Sequence, residues 1–425
     1  MRFAGLILVI MMATSSAAKV VYMSASGSDA GDGSIRNPYA TLPAAYKAIE
    51  GGDTICVRGG RYYVDDSQVM KIVGPYACVF MLDKAGTAER RTCIMGYSGE
   101  RPVFDFSALQ MEGKYRFAAF YLGADYLHLK NFDIVGVPVR IKGHTQSECV
   151  SARKGSHCIV ENLAMHDNMA IGYYQLVGEY NLVLNCDAYN NYDDFSEGEY
   201  GGNVDGFGCH IRNVKQKGNV FRNCRAWRNS DDGFDLINCD TSVEFDHCWA
   251  FYNGFRPAEN AADTVTFVSA GDGNGFKGGG FGMGEKTKCP SECPEHYIHD
   301  CLAFKNKANG FYSNHHIGGN RWEDNVSVMN RMDNYNMLNR KGRDAEGKVD
   351  VPGYGHVLRN NVSFRPGKWH ISNVNEEKST MEGNSFQSGK QLSEADFESA
   401  QESLLFVARD ADGYLPDTNL FKIKK

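Results

Sequence analysis

Proline is scarce, at 11 of 425 residues against 46 glycines, which excludes a long proline-stiffened linker and favours many tight turns. Beyond residue 18 no stretch reaches the roughly 18 consecutive apolar residues of a spanning helix, so no membrane segment is expected. Basic charge is not in excess. The formal net charge of −7 argues against nucleic acid or an anionic membrane as partner. The same sign is awkward for an enzyme acting on a polyanion, unless a cation is bound. Leucine lattices and amphipathic i, i+3, i+4 stripes are missing as well, which excludes leucine-rich and helical repeats. No cysteine spacing fits a zinc site. The cysteine count is odd, at 13, so at least one cannot pair within the chain.

What is present begins with an address. Arg2 is a basic start, Leu6 to Met12 an apolar run, and Ser16-Ala17-Ala18 a small-residue cleavage site. Residues 1–18 therefore read as a signal peptide and the product as secreted, extracellular or periplasmic. A repeat follows. Six segments run from a Cys or Asn through an aromatic or apolar residue to a closing Asn: Asn162 to Asn168, Cys186 to Asn191, Cys224 to Asn229, Cys248 to Asn253, Cys301 to Asn306 and Asn325 to Asn330. Fainter copies lie at Asn131, Asn361 and Asn384. From 162 to 186, 224 to 248 and 301 to 325 the heads are 24 residues apart.

A period of that size, built from short alternating segments punctuated by Gly and Asn, fits one turn of a parallel β-helix. Stacked coils would place the cysteine heads in one interior column as buried thiols. The closing asparagines would form a second column, hydrogen-bonded along the stack. The sequons at Asn325 and Asn361 fall on ladder positions and are discounted as glycan sites. Cys289 and Cys293 remain candidates for a local disulfide. Open coil ends need covering: Thr41 to Glu50 reads as a short capping helix, and Ser393 to Ala408 as an amphipathic cap at the other end. The fold class expected is all-β, a parallel β-helix with short capping helices, and residues 19–425 form one domain, expected to be monomeric.

A second motif follows the closing asparagine, in Asp205-Gly-Phe-Gly208, Asp232-Gly-Phe-Asp235, Asn274-Gly-Phe-Lys277 and Asn309-Gly-Phe-Tyr312. Aligned on the inward phenylalanine, the copies put Asp205 and Asp232 at one position of neighbouring coils, and Asp235 and Lys277 at another. The residue after the phenylalanine points outward. Asp205, Asp231, Asp232 and Asp235 thus gather beside Lys277. Four close carboxylates repel unless a cation sits among them, and hard oxygen donors from turns suit Ca²⁺ better than zinc. A solvated acidic edge is the plain alternative, but it has no need of a lysine in register. Extra residues inserted before the Asp205 and Lys277 motifs point to the same face, where loops commonly build a groove.

A uronate carboxylate could bridge such a metal, which would acidify its C5 proton. Lys277, if neutral, is placed to remove that proton, and loss of the C4 oxygen would cleave the chain by β-elimination. Arg256, Arg222, Lys305, Asn314, His315 and His316 are weaker candidates for contacts to the sugar.

Asn229-Ser-Asp-Asp-Gly-Phe-Asp235, with Asp205-Gly-Phe207 before it and Asn274-Gly-Phe-Lys-Gly-Gly279 after it, resembles the pectate lyases of polysaccharide lyase family nine. Ser24 to Asp29, Gly51 to Ile55 and Gly59 to Tyr62 resemble their N-terminus. The resemblance covers most of the chain. It implies a right-handed parallel β-helix with an asparagine ladder, aspartates 205, 231, 232 and 235 binding a catalytic Ca²⁺, Lys277 as base, and polygalacturonate (pectin) as substrate. The chain departs from the family at Lys277-Gly-Gly-Gly280, where a leucine often follows the lysine; looser packing is expected there. Rival readings are a lyase or C5-epimerase for another uronan such as alginate, and a non-catalytic glycan-binding β-helix with structural calcium.

Overall fold

The computed structural model describes residues 17–424 apart from 112–113, 197–200, 202, 258–266, 270, 282–289, 344–346 and 411–412. The apolar run Leu6 to Met12 and Cys289 lie outside the described residues. The chain winds as a parallel β-helix with three strands per coil. One face carries Leu182–Leu184, Asn219–Arg222, Val243–Asp246, Tyr297–His299, Arg321–Glu323 and Val357–Arg359 in parallel register. The second carries Asp187–Tyr189, Arg225–Trp227, Trp249–Phe251, Leu302–Phe304 and Val326–Val328. The third, the front face, carries Ile171–Gln175, Phe207–Cys209, Phe234–Asp235, Phe276–Lys277, Phe311–Tyr312 and Tyr335–Asn336.

Strands of two to five residues suffice because each side chain is stacked on its copy one coil away. Phe207, Phe234, Phe276, Phe311 and Tyr335 form one such column, with successive ring centroids 5.0, 4.8, 4.9 and 5.1 Å apart, the spacing of neighbouring strands. Cys186, Cys224, Cys248 and Cys301 form another, wholly buried, and the column continues as Asn325, Asn361 and Asn384 through side-chain bonds. Asn325 and Asn361 are fully buried, as their ladder positions require. The closing asparagines form the expected inner ladder: Asn191 Nδ2 donates to Asn229 Oδ1 (2.9 Å), Asn229 to Asn253 (3.1 Å), Asn253 to Asn306 (3.1 Å) and Asn306 to Asn330 (2.9 Å).

The glycine of each Gly-Phe motif lies against this ladder. A Cβ on Gly233 would fall 2.7 Å from Gly275 O and 2.9 Å from Asn253 Nδ2, so the motif admits no side chain there. One repeat head shifts. Ala164 pairs with Asp187, which makes Leu163, and not Asn162, the partner of Cys186. Asn162 instead takes a left-handed turn conformation (φ 50°) with Asn131, Asn185 and Asn223, a geometry that asparagine tolerates.

The helix Leu42–Lys47 closes the first coil. Thr41 caps it, accepting from Ala44 N (3.4 Å), and Leu42, Ala45 and Tyr46 are buried. The C-terminal stretch does not form the expected cap on the coil end. It makes two 3-10 turns, Glu394–Asp396 and Glu402–Phe406, and lies along the second face. There the outward column Tyr189, Trp227 and Phe251 stacks at 4.2 and 5.4 Å, and Phe397, Leu405 and Phe421 join its apolar cluster. Arg225 and Arg409 both clamp Asp187. The apolar flank of the stretch needs a partner, and the aromatic column offers a larger one than the coil end.

Candidate active site and metal centre

The front face positions the ionisable groups. Asp235 and Lys277 are register partners on adjacent strands, pointing outward because Phe234 and Phe276 before them point in. Asp205 and Asp232 sit just before the strands of their own coils, where Asp232 N donates to Asp205 Oδ1 (3.1 Å). Asn274 continues this outer column, donating from its backbone N (2.5 Å) and its Nδ2 (2.9 Å) to Asp232 Oδ1. Asn309 in turn donates to Asn274 Oδ1 (2.9 Å).

Carboxylate oxygens of Asp205, Asp231 and Asp232 lie within 4.8 Å of one another. Asp235 stands apart from that trio, on the far side of Lys277: the lysine Nζ is 3.0 Å from Asp232 Oδ2 and 3.3 Å from Asp235 Oδ2. Asp205, Asp232 and Asp235 are almost fully buried, and Lys277 is only 8% exposed. Burial first, and then mutual repulsion, pushes the Asp205 and Asp231 carboxyls well above the ordinary range, and Asp232 upward. Burial pulls the Lys277 ammonium down, but Asp232, Asp235, Asp231 and Asp205 outweigh it and hold its pKa well above the usual lysine value.

These residues fit a calcium ion. Asp232 Oδ2 is buried with no hydrogen-bond partner among the described residues; Lys277 Nζ is near it but off hydrogen-bonding geometry. Three carboxylates that burial and repulsion each drive toward protonation form a hard oxygen set that one divalent cation would relieve.

Sequence reasoning missed several neighbours. His210 lies between Tyr174, whose hydroxyl is 3.2 Å from its Nδ1, and Asp235 Oδ2 at 3.9 Å. Arg153 sits over Tyr174 and pairs with Glu148. Asp272 N donates to Asp231 Oδ1 (2.6 Å), and its carboxylate reaches to 3.9 Å from Lys277. Tyr312 pairs with Lys277 on the next strand, as the Gly-Phe-X alignment could have shown.

Of the weaker candidates, Arg222 lies on the first face, bound to Asp246, and Lys305 on the second, bound to Glu402. Neither reaches the front. The side chain of Arg256 is outside the described residues. Asn314 donates to Gly279 O (2.9 Å), and His315 bridges Tyr312 and Asp350. His316 is fully buried, and burial lowers its pKa to about 4. Gly280 N donates to its Nδ1 while its Nε2 faces Pro294 O, so both nitrogens are committed to the scaffold. Packing after Lys277 is tight, contrary to expectation: a Cβ on Gly278 would collide with the Trp322 indole, which fills the space.

Residues 21–361 match the family model described as the Pel9A-like right handed beta helix region. The chain is 32% identical to pectate lyase L of Dickeya dadantii (strain 3937), over 96% of this chain and 84% of that protein. It is 28% identical to pectate lyase PEL9 of Emericella nidulans, over 92% and 89%. Among solved structures, a rhamnogalacturonan lyase superposes with a TM-score of 0.90 at 43% identity, covering 96% of both chains. Pectate lyase Pel9A superposes at 0.70 with 30% identity, over 96% of this chain and 90% of that one.

Proposed function

The chain belongs to the Pel9A-like right-handed β-helix family and is a polysaccharide lyase; from that premise we propose that it cleaves the galacturonan backbone of pectin by Ca²⁺-dependent β-elimination, with Lys277 as the base. The observation that carries this reading is the pairing of one buried lysine with three mutually repelling aspartates in register. Asp205, Asp231 and Asp232 would hold the ion, with Asp235 at its edge beside Lys277. Bound there, calcium would neutralise the uronate carboxylate and acidify the C5 proton.

Lys277 Nζ would take that proton. The C5–H electrons form the C4–C5 double bond, the C4–O bond breaks, and the leaving oxygen takes a proton from solvent water. The base must be neutral. With Asp205, Asp231 and Asp232 committed to a cation, their upward pull on Lys277 would weaken, while burial and the nearby positive charge would favour the neutral amine against the pull of Asp235. Asp235, which Lys277 and His210 flank, would orient the amine.

Identity to the rhamnogalacturonan lyase structure (43%) exceeds that to Pel9A (30%). This favours a second substrate reading, in which galacturonate alternates with rhamnose and the chemistry at the galacturonate is unchanged. The test is ultraviolet absorbance of the unsaturated product on polygalacturonate and on rhamnogalacturonan in parallel, with Ca²⁺ at mildly alkaline pH. Absorbance should rise on at least one polymer and vanish with a chelator or with Lys277→Ala. Silence on both, or activity that survives the chelator, would sink the mechanism. Export directed by residues 1–18, a single domain over 19–425 and a monomeric state belong to the same proposal. No helix among the described residues is long and apolar enough to cross a membrane.

A further inference from the structure

Past Lys277 the front face continues as Tyr312, Asn336 and Ser372 in successive register. The outer column beside it ends in an unexpected residue. Gly310 N donates to Asp333 O, and Asn334 N to Trp369 O, so Trp369 holds the position that Asn274, Asn309 and Asp333 occupy in the coils before. Those three are polar and at most 5% exposed, whereas Trp369 is 65% exposed. Nothing in core packing asks for an indole there. Three strand spacings, about 14 Å, separate its coil from that of Lys277.

The intervening edge is basic. Lys307 and Arg331 follow one another in register, and Lys368 sits beside Trp369. Lys307 Nζ is held by Gly271 O and Arg331 lies over the Phe255 ring. Arg331 and Lys368 form no ion pair among the described residues. Toward the N-terminal coils Arg153 is bound to Glu148 at 2.5 Å, and Arg116 meets the Tyr76 hydroxyl at 3.3 Å. Charge therefore changes along the front face, from the acidic trio to a basic edge that ends on an exposed ring.

We propose that Trp369 is a distal sugar-stacking subsite for the polysaccharide, and that Arg331 and Lys368 draw the intervening uronates toward it. The flat indole accepts the C–H face of a pyranose, while the cations accept carboxylates. The ligand class, an acidic pectic chain, rests on the proposed function. The span to Lys277 corresponds to about three pyranose units if each advances by about one strand spacing, so only longer chains reach the ring.

Calorimetric titration of the Lys277→Ala protein in calcium buffer, with and without Trp369→Ala, tests this. The ligands are the trisaccharide and the decasaccharide cut from polygalacturonate and from rhamnogalacturonan. Trp369→Ala should weaken the decasaccharide about tenfold, the size of one aromatic stacking contact, and leave the trisaccharide as it was; Trp369→Phe should recover part of the loss. The exposure of Trp369 makes the substitutions safe for folding. An equal loss at both lengths, no loss at the longer one, or no binding of either decasaccharide overturns the subsite. Failure of the lyase reading would show separately, as wild-type protein that binds the chain but makes no unsaturated product.

Discussion

Two columns of asparagine and aspartate run along the coils, one inside and one on the front face, and both use the same hydrogen bond. In the inner ladder every member is an amide, so each Nδ2 meets the next Oδ1 and the column closes on itself. The outer column runs with opposite polarity, Asn309 to Asn274 to Asp232, and then stops. A carboxylate has no N–H to pass on. Acid in place of amide at positions 205 and 232 therefore ends the column in side chains that only accept, and it leaves Asp232 Oδ2 without a hydrogen-bond partner among the described residues. The difference between scaffold and site is one nitrogen for one oxygen, repeated twice.

The inner column should be the more fragile. Asn253→Asp removes the donor to Ala226 O and Asn306 Oδ1 and buries a charge against acceptors; it should cost about 3–5 kcal/mol, read from urea unfolding. Asp232→Asn makes the reverse exchange outside. Product formation should fall about a hundredfold while the melting temperature in chelator rises, because one of the repelling acids is gone. Calcium should then raise the melting temperature of wild type but not of this variant. A variant that loses activity and stability together would erase the distinction between the columns.

Between the columns, Gly278→Leu should destabilise by about 1–3 kcal/mol through overpacking against Trp322, measured the same way. The smallest effect concerns the outer surface alone. Burial lowers the His166 pKa, but the Asp133 carboxylate 4.0 Å away and a hydrogen bond to Asp167 raise it to about 9. Its folded value exceeds the unfolded one near 6.5, so its contribution is complete below about pH 6.5 and lost as pH rises through about 9. Unfolding free energy should decline by about 1 kcal/mol across that window, and His166→Gln should flatten the decline.

The inner column was legible in the sequence because its members recur at a fixed spacing, and the motif phenylalanines carried the register from Asp205 to Lys277. The head at Asn162 slipped by one because the first copy holds an extra residue, which periodicity alone cannot assign. His210 escaped because it lies beyond the four-residue motif, two residues past Gly208, and Tyr174 and Arg153 because their coils hold no Asp-Gly-Phe motif. Asp272 escaped because it ends an insertion. The C-terminal stretch announced an apolar flank but not the surface that would cover it.

That stretch has a consequence for the order of assembly. Arg225 donates to Leu405 O across 180 residues, and Arg409 reaches back 222 residues to Asp187. The middle coils stack from near neighbours and can wind as they are synthesised. Their ring of aromatics stays wet until the residues around Leu405 are made. Such a late, long-range closure is slow by its loop length and leaves an adhesive stripe on every unfinished chain. Truncation before Leu405 should therefore leave coils that wind but aggregate, with the last segment acting as a latch.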